Sequence, residues 1–161
     1  MRLENERYVA TFTTKGGEIE SFTDKQTGNL RPVTPGDIVI LQRDDFYGGE
    51  PIVKRVIATE GQTVDIDFDA GVVYVDGAAL EEPYTREPTW TQEGTEFPLT
   101  VPEGSIFVMG DNRNHSSDSR SSDLGTVDTR YVIGKAAFLI FPGPDYETEK
   151  RDFKRIGVIL S

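Results

Sequence analysis

Cysteine is absent from the 161 residues, and histidine occurs only once. The lack of cysteine excludes disulfide bridges, thiolate nucleophiles and cysteine-ligated metal sites. A single histidine also argues against a zinc site, because zinc is usually bound by several cysteine or histidine side chains. The cysteine count does not choose between a reducing and an oxidising compartment.

Positive charge and long apolar runs are also scarce. The chain has 17 lysines and arginines against 28 acidic residues, a formal net charge of −11. Such a surface repels phosphates, so we expect no nucleic-acid partner. The longest strongly apolar run, 136–141, is far shorter than the roughly 20 residues that span a bilayer. The N-terminal residues do not have the pattern of a secretory signal, and we expect this chain to be soluble without an anchor.

Alternating hydrophobicity predicts β-structure almost throughout. Val64, Ile66 and Phe68 alternate with aspartates, and Val72–Val75 returns after a turn, which predicts a β-hairpin. Other predicted strands are 8–13, Ile38–Leu41, 52–58, Ser105–Met109, 135–141 and 156–160. The 16 glycines and 9 prolines separate these short runs, and no long stretch has helical spacing. The pattern predicts an all-β, barrel-like domain.

Two segments do not fit the strand pattern. Residues 79–100 are polar and contain prolines, which predicts an extended excursion, and 145–154 are predicted to be a solvated connector. Within the excursion, Trp90, Tyr84 and Phe97 form either a membrane-touching surface or internal packing. The aspartates of the hairpin loosely resemble a calcium loop, but the strand pattern favours solvated carboxylates.

A polar loop directly follows the apolar strand Ser105–Met109. Residues 110–120 combine turn formers with charged side chains in the order GDNRNHSSDSR. Buried polar groups need partners, and Asp118 could accept hydrogen bonds from Arg120 or Arg113. On the residues alone, a self-satisfied surface turn and a functional site both stay open.

Lys54 lies inside the apolar run 52–57. If its side chain points inward, the loss of solvation lowers the pKa of the amine well below its usual value. A lysine that is neutral near pH 7 is a competent general base for a hydroxyl nucleophile. The alternative is that Lys54 faces water on an alternating strand.

Taken together, these motifs resemble those of type I signal peptidases, which are serine proteases with a Ser–Lys dyad. The matching stretches, in the family's order, are TPGDIV at 34–39, KRVIATEG at 54–61, VYVDG at 73–77, VMGDNRNHSSDSR at 108–120, GTV at 125–127 and IGKAAFLIFP at 133–142. The stretch at 108–120 is the most specific of them. The resemblance implies that 34–161 form a signal-peptidase-like catalytic domain.

The resemblance also implies roles by position. Lys54 matches the general base, and Ser116 matches the serine that hydrogen-bonds this lysine and orients it. Asp118 and Arg120 match a pair that holds the site together through charge-assisted hydrogen bonds. The residues that would shape the turn before Ser116 are Gly110, Asp111, Asn112 and Arg113. No metal or organic cofactor is implied, because lysine supplies the base and backbone amides stabilise the oxyanion.

One block of the family is missing. The family's nucleophile lies in a Ser-Met-x-Pro block before the Gly-Asp-Ile-Val strand, but methionine occurs here only at Met1 and Met109. Ser21 is the only serine before Lys54, and without the Met and Pro it is expected to be an ordinary strand or turn serine. Residues 1–33 are therefore predicted to be an atypical segment that replaces the nucleophile region, and this chain is expected to be inactive.

A function and a location follow from the resemblance. Signal peptidases of this type remove signal peptides from secreted preproteins. The resemblance implies that the segment before the cleavage site binds as an extra strand along a groove of the enzyme, where shallow pockets select small side chains. The parent protein is expected to be anchored in the cytoplasmic membrane, with this domain at the membrane surface on the extracytoplasmic side. One alternative is a catalytically silent relative that binds preproteins or peptides without cleaving them. Another is a self-cleaving regulator of the related Ser–Lys repressor type, but its usual DNA-binding helices and internal cleavage site are not visible.

Overall fold

The computed structural model describes residues 32–136 with their side chains, and the backbone alone of 2–4, 8–12, 19–24, 138–139 and 157–158. The strands are β1 (Arg2–Glu4), β2 (Tyr8–Phe12), β3 (Ile19–Asp24), β4 (Ile38–Leu41), β5 (Ile52–Thr59), β6 (Thr63–Asp67), β7 (Val72–Val75), β8 (Ala78–Ala79), β9 (Leu99–Thr100), β10 (Ser105–Met109), β11 (Val127–Asp128), β12 (Val132–Lys135), β13 (Phe138–Leu139) and β14 (Gly157–Val158). Short 3₁₀ turns occur at Tyr47–Gly49, Arg113–His115 and Thr129–Tyr131. None of these helical turns, in the part of the chain that is described, is long or apolar enough to cross a membrane.

Two antiparallel sheets build the described body. The larger has five strands in the order β11-β10-β5-β4-β12, so β5 lies at its centre. The smaller has four strands in the order β8-β7-β6-β9. The strands β1, β2 and β3 form a sheet of their own, as do β13 and β14.

Strand β10 is apolar on both faces because each face packs into a different core. Ile106 and Val108 belong to a first core, whereas Phe107 and Met109 belong to a second. The other members of the first core are Val39, Leu41, Phe46, Val56, Leu124, Val127 and Val132. The second core joins the two sheets and also contains Ile57, Ala58, Val64, Ile66, Val73, Val75 and Val101. Burial on both faces is the reason that this strand reads as a continuous hydrophobic run.

The all-β prediction and the hairpin are confirmed. Strands β6 and β7 pair antiparallel, and Val64 and Ile66 are buried while Asp65 and Asp67 are exposed. The alternation therefore reported the buried face correctly. The predicted excursion is confirmed as well, since residues 80–98 contain no strand beyond the isolated bridge of Gly94 with Ser121.

The described strands do not form a closed barrel. In the described residues, β11 and β12 are the two edges of the five-stranded sheet, and no ladder closes it. The second sheet instead packs on the first through the side chains of the second core. Alternation reports which face of a strand is buried, not which strands are hydrogen-bonded, so the sequence could not distinguish a barrel from packed sheets.

The predicted strand 135–141 was also wrong in its start. Strand β12 begins at Val132, three residues earlier, and ends at Lys135. A shift of register near Gly134 disturbs the alternation there, which hides the strand in the sequence. Strands β13 and β14 lie within the predicted strands 135–141 and 156–160, and the connector 145–154 lies outside the described residues.

Candidate active site

Lys54 lies on the central strand β5, where it pairs with Val39 of β4. Directly paired residues of antiparallel strands share a face, so Lys54 lies on the face that Val39 buries in the first core. Its side chain is half-buried, in contrast to the exposed neighbour Val53. The structure therefore does not support the alternative in which Lys54 extends into water.

Ser116 meets this lysine from the loop that follows β10. The 3₁₀ turn Arg113–His115 is followed directly by Ser116, whose backbone is extended. The Lys54 Nζ donates a hydrogen bond to the Ser116 Oγ at 2.8 Å, across 62 residues of sequence. The two groups that the resemblance paired are thus in direct contact.

Gly110 makes this contact sterically possible. A Cβ atom at position 110 would lie 2.1 Å from the Ser116 Oγ and 2.5 Å from its Cβ. It would also lie 3.7 Å from the Lys54 Nζ. Both distances to Ser116 are well inside van der Waals contact, so only glycine at this position lets the serine approach the amine.

The surroundings of the amine favour its neutral form. Burial lowers the pKa of Lys54, and the nearby Arg120 guanidinium lowers it further. The Asp118 and Glu93 carboxylates act in the opposite direction, but the pKa of Lys54 remains below its ordinary value of 10.5. This is the direction that a general base working near neutral pH requires.

Asp118 and Arg120 form a fully buried ion pair beneath Ser116. The Asp118 carboxylate accepts hydrogen bonds from the Arg120 Nε at 2.9 Å, from its Nη2 at 2.8 Å and from the Gly110 N–H at 2.9 Å. The Arg120 guanidinium also donates to the backbone carbonyls of Thr91 and Ser116. The pair therefore ties the start of the loop, its end and the excursion to one another. Of the two donors considered for Asp118, Arg120 is the one that the structure pairs with it.

Arg113 has a different partner from the one considered in the sequence. It is 1% exposed and forms two hydrogen bonds with the Glu82 carboxylate, one of them at 2.6 Å. Its Nε donates to the Gly110 carbonyl at 3.2 Å, and its Nη1 donates to Thr89 at 3.0 Å. Arg113 thus connects the loop to the excursion rather than to Asp118.

Asp111 forms a bidentate ion pair with Arg55, with both bonds at 2.8 Å. The Arg55 guanidinium stacks on the Tyr84 ring, 3.8 Å from its centroid. Burial raises the pKa of Tyr84 to about 12, so this phenol is neutral at physiological pH. Arg55 follows Lys54 directly and points to the opposite face of β5, where it fixes the other side of the loop.

Asn112, which was predicted to shape the turn, contributes no side-chain hydrogen bond to this network in the described part of the chain. Asn112 accepts a backbone hydrogen bond from the His115 N–H, and its side chain does not cap the turn. Ser21 lies on β3, paired with Thr11, and its side chain lies outside the described residues.

The three aromatic residues of the excursion do not all have the same environment. Phe97 packs edge-on against Phe68 and Phe107 in the second core, with centroids 5.9 Å apart in both cases. Tyr84 covers Arg55, whereas Trp90 is 48% exposed. Internal packing therefore accounts for two of the three rings.

The chain can be compared with known proteins on this basis. The model of the family described as "Signal peptidase, peptidase S26" matches residues 4–141. The chain belongs to this family.

Individual signal peptidases are similar over much of the chain. "Probable signal peptidase I-1" of Synechocystis sp. is 38% identical over an alignment of 125 residues, and the match covers 74% of this chain and 60% of that protein. "Signal peptidase I" of Bacillus amyloliquefaciens is 33% identical over an alignment of 136 residues, and the match covers 80% of this chain and 68% of that protein. The match to "Signal peptidase I" of Mycobacterium tuberculosis is 44% identical but covers 36% of that protein, so the chain spans only part of several relatives.

A solved signal peptidase I structure shares the fold. The crystal structure of the protein from Enterococcus faecalis has 33% sequence identity and a TM-score of 0.53, and the match covers 66% of this chain and 98% of that chain. The all-β architecture described above is thus that of a signal peptidase.

Several residues around Lys54 and Ser116 were not predicted from the sequence. Asn114 uses its side-chain oxygen to accept hydrogen bonds from the backbone N–H groups of Trp90 and Thr91 at 2.9 and 3.1 Å. Glu82 and Glu93 also reach the loop from the excursion. These residues lie in a segment without periodicity, so no sequence pattern indicated their contacts. Arg55 had one available signal, because it is a charged residue inside the same apolar run as Lys54.

Proposed function

We propose that this chain is a signal-peptidase-type serine endopeptidase domain, which recognises the signal peptides of secreted preproteins and whose general base is Lys54. The observation that carries the proposal is the 2.8 Å hydrogen bond between the Lys54 amine and the Ser116 hydroxyl in a half-buried position. The membership of the family and the lowered pKa of Lys54 support it. The parent protein works at the cytoplasmic membrane, with this domain on the extracytoplasmic side.

The chemistry that we propose for this type of site, when a nucleophile serine is present, is acyl transfer by a Ser–Lys dyad. A serine hydroxyl attacks the scissile carbonyl while its proton passes to neutral Lys54, and the ammonium then protonates the leaving amine. Water, activated by the same lysine, releases the acyl group from the serine. Ser116 holds the amine in place, while Asp118 and Arg120 hold Ser116.

We propose further that this chain lacks an effective nucleophile. It contains no Ser-Met dipeptide, and residues 1–33 stand where the family has its nucleophile block. Removal of the nucleophile costs on the order of 10⁶ in kcat in a serine protease. The chain then binds signal peptides without cleaving them, which makes a silent peptide-binding relative the second candidate function.

One experiment with two readouts tests these proposals. The purified chain is mixed with a labelled signal peptide in detergent, and binding is followed by fluorescence anisotropy while products are sought by mass spectrometry. We expect saturable binding that is competed by peptides with small residues before the cleavage site, but not by versions with bulky residues there. We expect cleavage no faster than that of the Lys54→Ala variant.

The outcomes separate the two parts of the proposal. Binding that bulky competitors displace equally well would contradict signal-peptide recognition. Robust cleavage that is lost in Lys54→Ala would instead overturn the predicted inactivity and support the dyad. Ser21→Ala then decides the nucleophile, since only a reacting Ser21 makes that variant inactive.

A further inference from the structure

Glu93 is a carboxyl group of the excursion that the proposed mechanism does not use. The Ser122 N–H donates to its backbone carbonyl at 3.3 Å, and the Thr95 N–H donates to the Arg120 carbonyl at 2.9 Å. These two hydrogen bonds hold the segment 93–95 next to residues 120–122, at the end of the loop that carries Ser116. The position of Glu93 relative to the site is therefore fixed by the backbone.

The Glu93 side chain points at the buried ion pair. It is 19% exposed, and its Oε1 lies 3.8 Å from the Arg120 Nη2. The backbone N–H of Asp118 also faces this carboxyl. Arg120 is already bonded to Asp118 through two nitrogens, so a single guanidinium faces two carboxylates. This group of three charges has a net charge of −1 when both carboxyls are ionised.

That negative charge lies near Lys54. The Arg120 Nη2 that faces Glu93 also donates to the Ser116 carbonyl at 3.3 Å, and the Ser116 Oγ accepts from the Lys54 Nζ at 2.8 Å. The charged groups that face the amine are the carboxylates of Asp118 and Glu93 and the guanidinium of Arg120. The effects of Asp118 and Arg120 oppose each other because they form a close ion pair. Arg120 acts on the amine more weakly than either carboxylate, so the ion pair leaves part of the negative charge of Asp118 uncompensated and the charge of Glu93 adds to it. Burial raises the pKa of Glu93 itself, and the charge of Asp118 raises it further. The positive charges of Arg120 and Lys54 lower it, but the pKa stays above its ordinary value.

We propose that Glu93 is a positioning residue of this site, which acts on Lys54 through the charge of its carboxylate. Ionised Glu93 stabilises the protonated amine and so limits the loss of the proton that burial favours. It thereby sets the pH at which the amine becomes neutral and able to act as a base. This inference rests on the proposed function of Lys54.

The test is a direct titration of the lysine. The whole chain is labelled with ¹³C-lysine, the Lys54 signal is assigned by its absence in Lys54→Arg, and its chemical shift is followed against pH by NMR. We expect Glu93→Gln to move the Lys54 midpoint to lower pH. Glu96→Gln is the matched control, because Glu96 is an exposed carboxyl of the same segment that does not act on Lys54. We expect that variant to titrate like the wild type.

Failure of the inference is distinct from failure of the proposed function. If Lys54 titrates below the other lysines in the wild type but Glu93→Gln leaves its midpoint unchanged, the role of Glu93 is overturned and the base survives. If wild-type Lys54 titrates together with the exposed lysines, the proposed base itself is wrong. Glu93→Asp is a second test, because it keeps the negative charge but moves it away from Lys54 by the length of one methylene group. It should move the midpoint in the same direction by a smaller amount, and no movement would count against the inference.

Discussion

At the scale of single residues, the site depends on the lack of a Cβ atom at Gly110. Gly110 leaves room for Ser116, since a Cβ there would lie 2.1 Å from the serine hydroxyl oxygen. We expect Gly110→Ala to displace Ser116, to break its bond to Lys54 and to destabilise the fold by about 1–3 kcal/mol, as overpacked sites do. Chemical denaturation measures the loss of stability, and the Lys54 titration reports the lost contact.

A double-mutant cycle tests this explanation. Ser116→Gly removes the Cβ and Oγ with which the new methyl group collides, and the extended backbone of Ser116 accommodates glycine. We expect Gly110→Ala to cost much less in the Ser116→Gly background than in the wild type. Equal costs in the two backgrounds would show that the methyl group is rejected for some other reason.

At the scale of elements, the excursion is attached to the loop 110–120 by buried charge. Glu82 is the carboxylate partner of Arg113, and their side chains are 12% and 1% exposed. We expect Glu82→Ala to destabilise the chain by about 3–5 kcal/mol, because it leaves the Arg113 guanidinium buried without its counter-ion. The measurement is the free energy of unfolding in urea.

Glu81→Ala is the control for this prediction. Glu81 is the exposed neighbour of Glu82, so the same substitution there should change stability by no more than about 0.5 kcal/mol. If both variants unfold at the same urea concentration, the ion pair does not hold the excursion in place.

At the scale of the whole molecule, the buried amine makes stability depend on pH. The pKa of Lys54 is below its ordinary value of 10.5 because of burial, so the unfolded chain retains a proton that the folded chain has lost. In that window, between the folded pKa and 10.5, the stability contributed by this group rises with pH. We expect wild type to gain stability relative to Lys54→Met as pH rises through the window, and the difference to be constant above and below it.

Paired unfolding curves of the two proteins at a series of pH values measure this difference. Comparison with Lys54→Met removes the contributions of the titrating groups that do not interact with Lys54, which both proteins share. A difference that does not change with pH would mean that Lys54 is solvated in the folded state. One that falls as pH rises would mean that the nearby carboxylates outweigh burial, and either result would contradict the prediction.

The sequence by itself determined the all-β class, the hairpin and the position of the loop after β10. These features are local, since alternation and turn residues act over a few neighbouring positions. It also singled out Lys54 as a charged residue inside an apolar strand. The resemblance to signal peptidases paired it with Ser116, because the motif at 108–120 is specific in both order and spacing.

Tertiary structure alone decided the rest. Whether Lys54 faced water or the interior depended on which face of β5 the rest of the chain covers, and the run 52–57 is compatible with either. The partners of Arg113 and Asp111 are Glu82 and Arg55, which lie 31 and 56 residues away along the chain. Such pairings depend on how the sheets and the excursion pack, because a charged side chain in the sequence indicates the need for a counter-ion but not which one meets it in space.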